Sequence, residues 1–348
     1  MNQLIKKILV ASTAALMAVT FATTTNAASV HTATATTIHT QTKRTYNYAK
    51  KMLIKNRTGL SGKTSAIFSK KAYPDTGASS GYSDFLLGLK GNHYRFTTKQ
   101  RTLLRKNLVI KRNTPAASLA NAVMAVSAMG MNAKKYKPYH QKHGINLVAR
   151  LYRARISNQT ASSQAQVLIA VSMSSKFKRP SNAKFSKTSL SSRLVNAQLT
   201  NSGWTYNNAQ GTKDADTTSM VLTALSRSGS SSNHVRSSIQ SGQKFLFSIS
   251  QPNGAFGYTF NGKTTANANS TAEAIIALAN DSTTQKYVNT TPIKANQTAT
   301  PLLAMLTYVN RSGSIKHATS QLYGVGQVNL AIAAYKAAVK HQSVYGIN

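Results

Sequence analysis

The chain has 348 residues, no cysteine, 43 Lys plus Arg against 6 Asp plus Glu, and a formal charge of +37 at pH 7. Without cysteine there are no disulfides, thiolate nucleophiles or cysteine-bound zinc, so an apolar core must hold the fold by itself. The charge predicts self-repulsion and affinity for polyanions.

The first residues, MNQLIKKILVASTAALMAVTFATTTNA, give a charged start at Lys6 and Lys7, an apolar run from Ile8 to Phe21, and small residues ending at Ala27. That pattern predicts a secretory signal peptide over 1–27, because the apolar run is too short to span a bilayer. Secretion, with the product kept at the cell surface, is the expected localisation, and the thiol-free composition suits a Gram-positive bacterial export. Residues 28–45 (ASVHTATATTIHTQTKRT) are Thr-rich without apolar periodicity and are expected to form a flexible leader. The folded body is expected over 46–348.

Charge is uneven along that body. Residues 28–190 carry 29 Lys plus Arg and 2 acids, whereas 191–348 carry 12 and 4. In the first half, KRTYNYAKKMLIKNR, KQRTLLRKNLVIKR, KKYKPYHQK and KFKRPSNAK set cations beside rings. Lys50, Lys51, Lys134, Lys135, Lys137, Arg150 and Arg153 are therefore candidate polyanion-binding residues. The expected partners are anionic cell-wall polymers or acidic polysaccharides, with nucleic acid a nonspecific partner because no reading motif is evident.

Five windows stack into a repeat, at 116–130, 161–175, 215–229, 268–282 and 325–339. One column is alanine throughout, at Ala125, Ala170, Ala224, Ala277 and Ala334, flanked by apolar residues two before and one after. This spacing makes an apolar helical stripe with a small residue at its centre, which lets helices approach closely. The period of 45 to 57 residues has room for two helices and a loop. Partner helices are expected in 146–156, 189–200 and 235–249, giving an all-α hairpin array.

Between the repeats, Gly203-Trp204-Thr205-Tyr206 and Ala255-Phe256-Gly257-Tyr258 place aromatic-x-Tyr ahead of the next helix, each preceded by a glutamine, Gln198 or Gln251. The following helices open with Asp214-x-Asp216-Thr217-Thr218 and Asn267-x-Asn269-Ser270-Thr271. On these motifs the chain resembles the terpenoid cyclase and protein prenyltransferase-like family of α/α toroids, in particular its exported bacterial branch. The resemblance is strongest over 190–280 and implies a complete or partial ring of helical hairpins around a central cavity. It also implies ligand-binding roles for Trp204, Tyr206, Phe256 and Tyr258, and places Asp216 at the proton-donor position of the cyclases. The family's zinc-dependent and thioester-bearing branches need a cysteine that this chain lacks.

Two departures weigh against the cyclase chemistry. Thr217 stands where the last acid of the cyclase motif belongs, and the sister repeat carries asparagines, which cap helices as well as aspartate does but cannot donate a proton as acids. Asp214 and Asp216 are accordingly expected to cap a helix, and Ser270-x-x-Glu273 to form a capping box. The expected function is a non-catalytic binding protein held electrostatically to wall polymers, without metal or cofactor. The alternatives left open are a polysaccharide lyase using Tyr139 and His143, a degenerate cyclase using Asp214 and Asp216, and an extracellular small-molecule carrier.

Overall fold

The computed structural model describes residues 29–55, 80–200, 203–206, 214–260 and 263–347. The expected signal peptide lies outside the described residues. Thirteen α-helices are found among the described residues: α1 (Ala35–Ile54), α2 (Ser80–Gly91), α3 (Thr98–Asn107), α4 (Ala116–Ala128), α5 (Leu147–Tyr152), α6 (Ala161–Val171), α7 (Lys187–Asn196), α8 (Ala215–Arg227), α9 (Asn233–Ser248), α10 (Ala268–Ala279), α11 (Lys286–Asn289), α12 (Pro301–Thr307) and α13 (Gln321–Ala338). One antiparallel hairpin, β1 (Gly257–Phe260) and β2 (Lys263–Ala266), pairs Gly257 with Ala266 and Phe260 with Lys263.

Burial sorts the helices into two layers. In α4, α6, α8, α10 and α13 buried residues cover nearly the whole circumference, as expected of helices enclosed by protein on all sides. In α1 the buried set is Thr45, Ala49, Met52 and Leu53, and in α9 it is Val235, Ser238, Gly242 and Leu246, single stripes at helical spacing. The enclosed helices form the inner layer. Each packs on the next in the order α2, α4, α6, α8, α10, α13, and α13 returns to α2, so the ring is closed. Outside it, α1 lies on α13 and α2, α5 on α4, α7 on α6, α9 on α8, and α12 on α10. The fold is an α/α toroid.

All five alanines of the repeat are buried, one on each of the inner helices α4, α6, α8, α10 and α13. The sixth inner helix, α2, has no such alanine and uses glycine instead. A Cβ on Gly88 would sit 2.8 Å from the Leu330 backbone nitrogen, and one on Gly326 would sit 3.0 Å from the Phe85 Cα. The two ends of the ring thus meet backbone to backbone.

The leader expectation is corrected for residues 29–45. His31 pairs with Ala299, Ala33 exchanges hydrogen bonds with the Asn289 side chain, Thr34 caps α1, and Ala35–Thr45 form its first half. Apolar periodicity is weak there because an outer helix buries only a narrow stripe. Thr45 uses its hydroxyl, 3.2 Å from the Asn329 Oδ1, to face the ring.

Candidate active site at the ring axis

The two aromatic repeats share one local design. The Trp204 amide meets the Thr218 hydroxyl at 3.1 Å and its carbonyl accepts from the Asp214 amide; Phe256 does the same with Thr271 and Asn267. Trp204 also donates its indole N–H to the Leu194 carbonyl at 2.7 Å. Both rings are fully buried, Trp204 between the outer helices α7 and α9 and the inner α8, and Tyr206 and Tyr258 lie on the surface, 50% and 43% exposed. None of these four lines the central cavity. The sequence motif marks a clamp between layers.

Within the ring a cavity of about 50 Å³ is lined by Asp84, Met124, Gln166, Ile169, Met220, Thr223, Glu273, Gln327 and Tyr345. Asp84 comes from α2 and Glu273 from α10, and both are buried. Burial pushes the Asp84 carboxyl up to about 7. Glu273 is raised well above its ordinary range, first by burial and then by the charges of Asp84 and Asp216, against a hydrogen bond from Gln327. That bond, from Gln327 Nε2 to Glu273 Oε1, measures 2.7 Å, and Gln327 in turn accepts from the Asn269 side-chain amide. The two carboxyls share one enclosure, and the charge of Asp84 is one of the causes that raise Glu273.

Asp214 and Asp216 part company. Asp214 is the N-cap of α8 and accepts from the Thr217 amide at 2.6 Å. Asp216, in the first turn, turns inward toward α10, where the Ser270 hydroxyl bonds it; burial first, and the Asp214 charge second, push it up to about 6. Its Oδ1 has no hydrogen-bond partner. The shared capping role therefore holds for Asp214 and fails for Asp216, because a helix has one N-cap and the residue two further on faces the neighbouring inner helix. The Glu273 capping box is likewise corrected: Asn267 caps α10, accepting from Ser270, while Glu273 sits a full turn inside on the cavity side.

The remaining candidates lie elsewhere. Tyr139, half-buried, and the exposed His143 belong to a loop outside the ring, where Tyr139 stacks edge-on with His140 and lies under Lys106. Lys50 and Lys51 stand exposed on α1, and Lys134, Lys135 and Lys137 on the stretch after α4. Arg150 and Arg153 join Arg112 and Arg155 around a groove of about 690 Å³ at the start of α4. Among the described residues no three His, Asp or Glu side chains come together as a metal site. The sequence alone did not single out Asp84 from the other acids and pointed Glu273 to the wrong task. The available signal was their setting, a lone acid within an apolar helix, SGYSDFLLG and TAEAIIALA, in a chain with so few acids.

No family model matches the chain, and no curated protein matches it. Solved structures do. The type II terpene cyclase MstE from Scytonema, without ligand, has a TM-score of 0.54 at 11% identity, covering 86% of this chain and 98% of the cyclase. A single-residue variant of that cyclase in complex with its substrate geranylgeranyl dihydroxybenzoate has a TM-score of 0.50 at 12% identity, covering 86% and 99%. Identity this low shows a shared terpenoid cyclase-like fold. The expectation of a non-catalytic binding protein held to wall polymers is overturned: the folds matched over nearly their full length are enzymes, and Glu273, expected at a helix start, instead joins Asp84 on the cavity within the ring.

Proposed function

From that fold and that acid cluster, we propose that the protein is a Brønsted-acid catalyst of the type II terpene cyclase kind, protonating a carbon–carbon double bond of an unsaturated isoprenoid. The observation that carries this is the placement of Asp84 and Glu273 on one enclosed cavity, with Asp216 beside them, in a chain whose described residues hold only five acids. Carboxyls that keep their protons near neutral pH are what general-acid catalysis requires.

The chemistry closes on these residues alone. The protonated Asp84–Glu273 pair passes a proton to one alkene carbon; the π electrons form the new C–H bond and leave a cation on the other carbon. Remaining double bonds close rings onto that cation, and the carboxylate recovers a proton from a carbon beside the last one. The net reaction is an isomerisation, in which nothing is oxidised and no cofactor is consumed. Asp216, once ionised, holds the proton on Glu273 by repulsion, and the soft sulfurs of Met124 and Met220 line the same space.

The test is incubation of the full chain with linear polyprenyl alcohols and polyprenyl phenols in D2O, followed by mass spectrometry. A cyclised product carrying one deuterium is expected, and Glu273→Gln should reduce its formation by about 10²-fold or more. Product formation undiminished by both Glu273→Gln and Asp84→Asn would refute the assignment. Export belongs to the same proposal and rests on residues 1–27; recovery from the medium of a chain beginning at Ala28 would support it, and retention of Met1 would refute it.

A further inference from the structure

The central cavity has room for a few waters and no more, and what fills the rest of the ring at one end is the chain's own C-terminal segment. After α13 the backbone reverses at His341, whose φ of 54° is left-handed, and residues 340–347 run over the ends of α2, α6 and α10. They meet the inner helices at their C-terminal ends. The Lys90 ammonium, from α2, donates to the Gly346 carbonyl; the Ile347 amide donates to the Met173 carbonyl beyond α6; the Ser343 hydroxyl donates to the Asn280 side chain at the end of α10. The Arg227 guanidinium, at the end of α8, lies 5.6 Å from the centre of the Tyr345 ring. All these ends therefore lie at one mouth of the toroid. Tyr345 points down from the segment and lines the acid cavity.

We propose that residues 340–347 occupy a latent ligand chamber, which opens when they leave and takes an amphiphile with an anionic head and an unsaturated hydrocarbon tail. Three clefts run alongside the segment, of about 610, 740 and 400 Å³, and each has residues of the segment in its wall. Without the segment these clefts would open onto the acid cavity, and their volumes together are more than ten times its own. The head group is read from the mouth: Lys90, Lys134 and Lys176 line one cleft and Lys43 and Lys336 another, with no acid lining any of the three among the described residues. Arg227 is mostly buried there and its Nε has no partner. The tail is read from the floor, where Tyr345 now presents an aromatic ring over Met124, Ile169 and Met220. That the tail is unsaturated rests on the proposed proton-transfer chemistry; the displacement of the segment does not.

The probe is cis-parinaric acid, a polyene carboxylate whose fluorescence rises out of water. Tyr345→Ala should bind it at least about ten-fold more tightly than the unaltered chain, since the cost of opening is removed. Adding Arg227→Gln should reverse most of the gain. Equal affinity in the unaltered chain and Tyr345→Ala, both shown folded by thermal unfolding, would overturn the proposal. Should Tyr345→Ala not fold, hydrogen exchange on the unaltered chain decides: the Ile347 amide should exchange faster as probe is added while α4 and α10 amides do not change, and unchanged exchange at Ile347 would overturn it. Tight binding by Tyr345→Ala without deuterium transfer in D2O would uphold the chamber and sink the cyclase reading.

Discussion

Replacing Asp84 by asparagine should make the protein more stable at high pH and leave it nearly unaffected in acid. The Asp84 carboxyl sits at about 7 in the fold against an ordinary 3.8, with burial as the cause. The folded state thus binds the proton more tightly than the unfolded chain. Its contribution is fully present below about pH 4 and is lost as pH rises toward 7, where the buried group must ionise or the chain unfold. The displacement corresponds to about 4 kcal/mol. Asparagine cannot ionise and escapes this loss, at a cost near ~1 kcal/mol for its differently paired amide. At an unfolding entropy of roughly 2 cal/mol/K per residue over about 300 residues, 4 kcal/mol corresponds to about 6 °C in Tm. Calorimetric scans of both proteins from pH 4 to pH 8 should show the midpoints diverging by several degrees toward alkaline pH, with the variant higher. Curves that stay parallel over the whole range would refute the buried-carboxyl account.

Two further outcomes test the fold's supports. Asp214→Ala should cost about 1 kcal/mol in denaturant unfolding through loss of the α8 cap, whereas Asp214→Asn should be nearly silent; equal losses would show that charge, not capping, is what the site needs. Gly88→Ala should cost about 1–3 kcal/mol by forcing α2 from α13, where the added carbon meets the Leu330 backbone at 2.8 Å; an unchanged Tm would mean that the ring closes by another contact.

The groups that repeat along the chain were legible as sequence. The alanine column, the flanking apolar positions and the paired Trp204 and Phe256 motifs report helix-on-helix packing, which obeys a fixed spacing and recurs in every hairpin, so the toroid could be read from residues 116–339. The start of α1 and the ring-closing α2 could not. Thr45 and Gly88 do in those helices what alanines and leucines do elsewhere, and neither departs from a loop-like composition.

Function divides along the same line. The sequence by itself determined that carboxylates are scarce, that no thiol chemistry is available, and that Asp214 begins a helix. Only the tertiary structure decided that Asp84, Asp216 and Glu273, spread over 190 positions, share one interior. Closing a ring brings inward-facing positions of different inner helices onto a common axis, and proximity of that kind leaves no spacing in the chain to be read. Burial then raises their proton affinity, turning isolated acids into a cluster able to give up a proton.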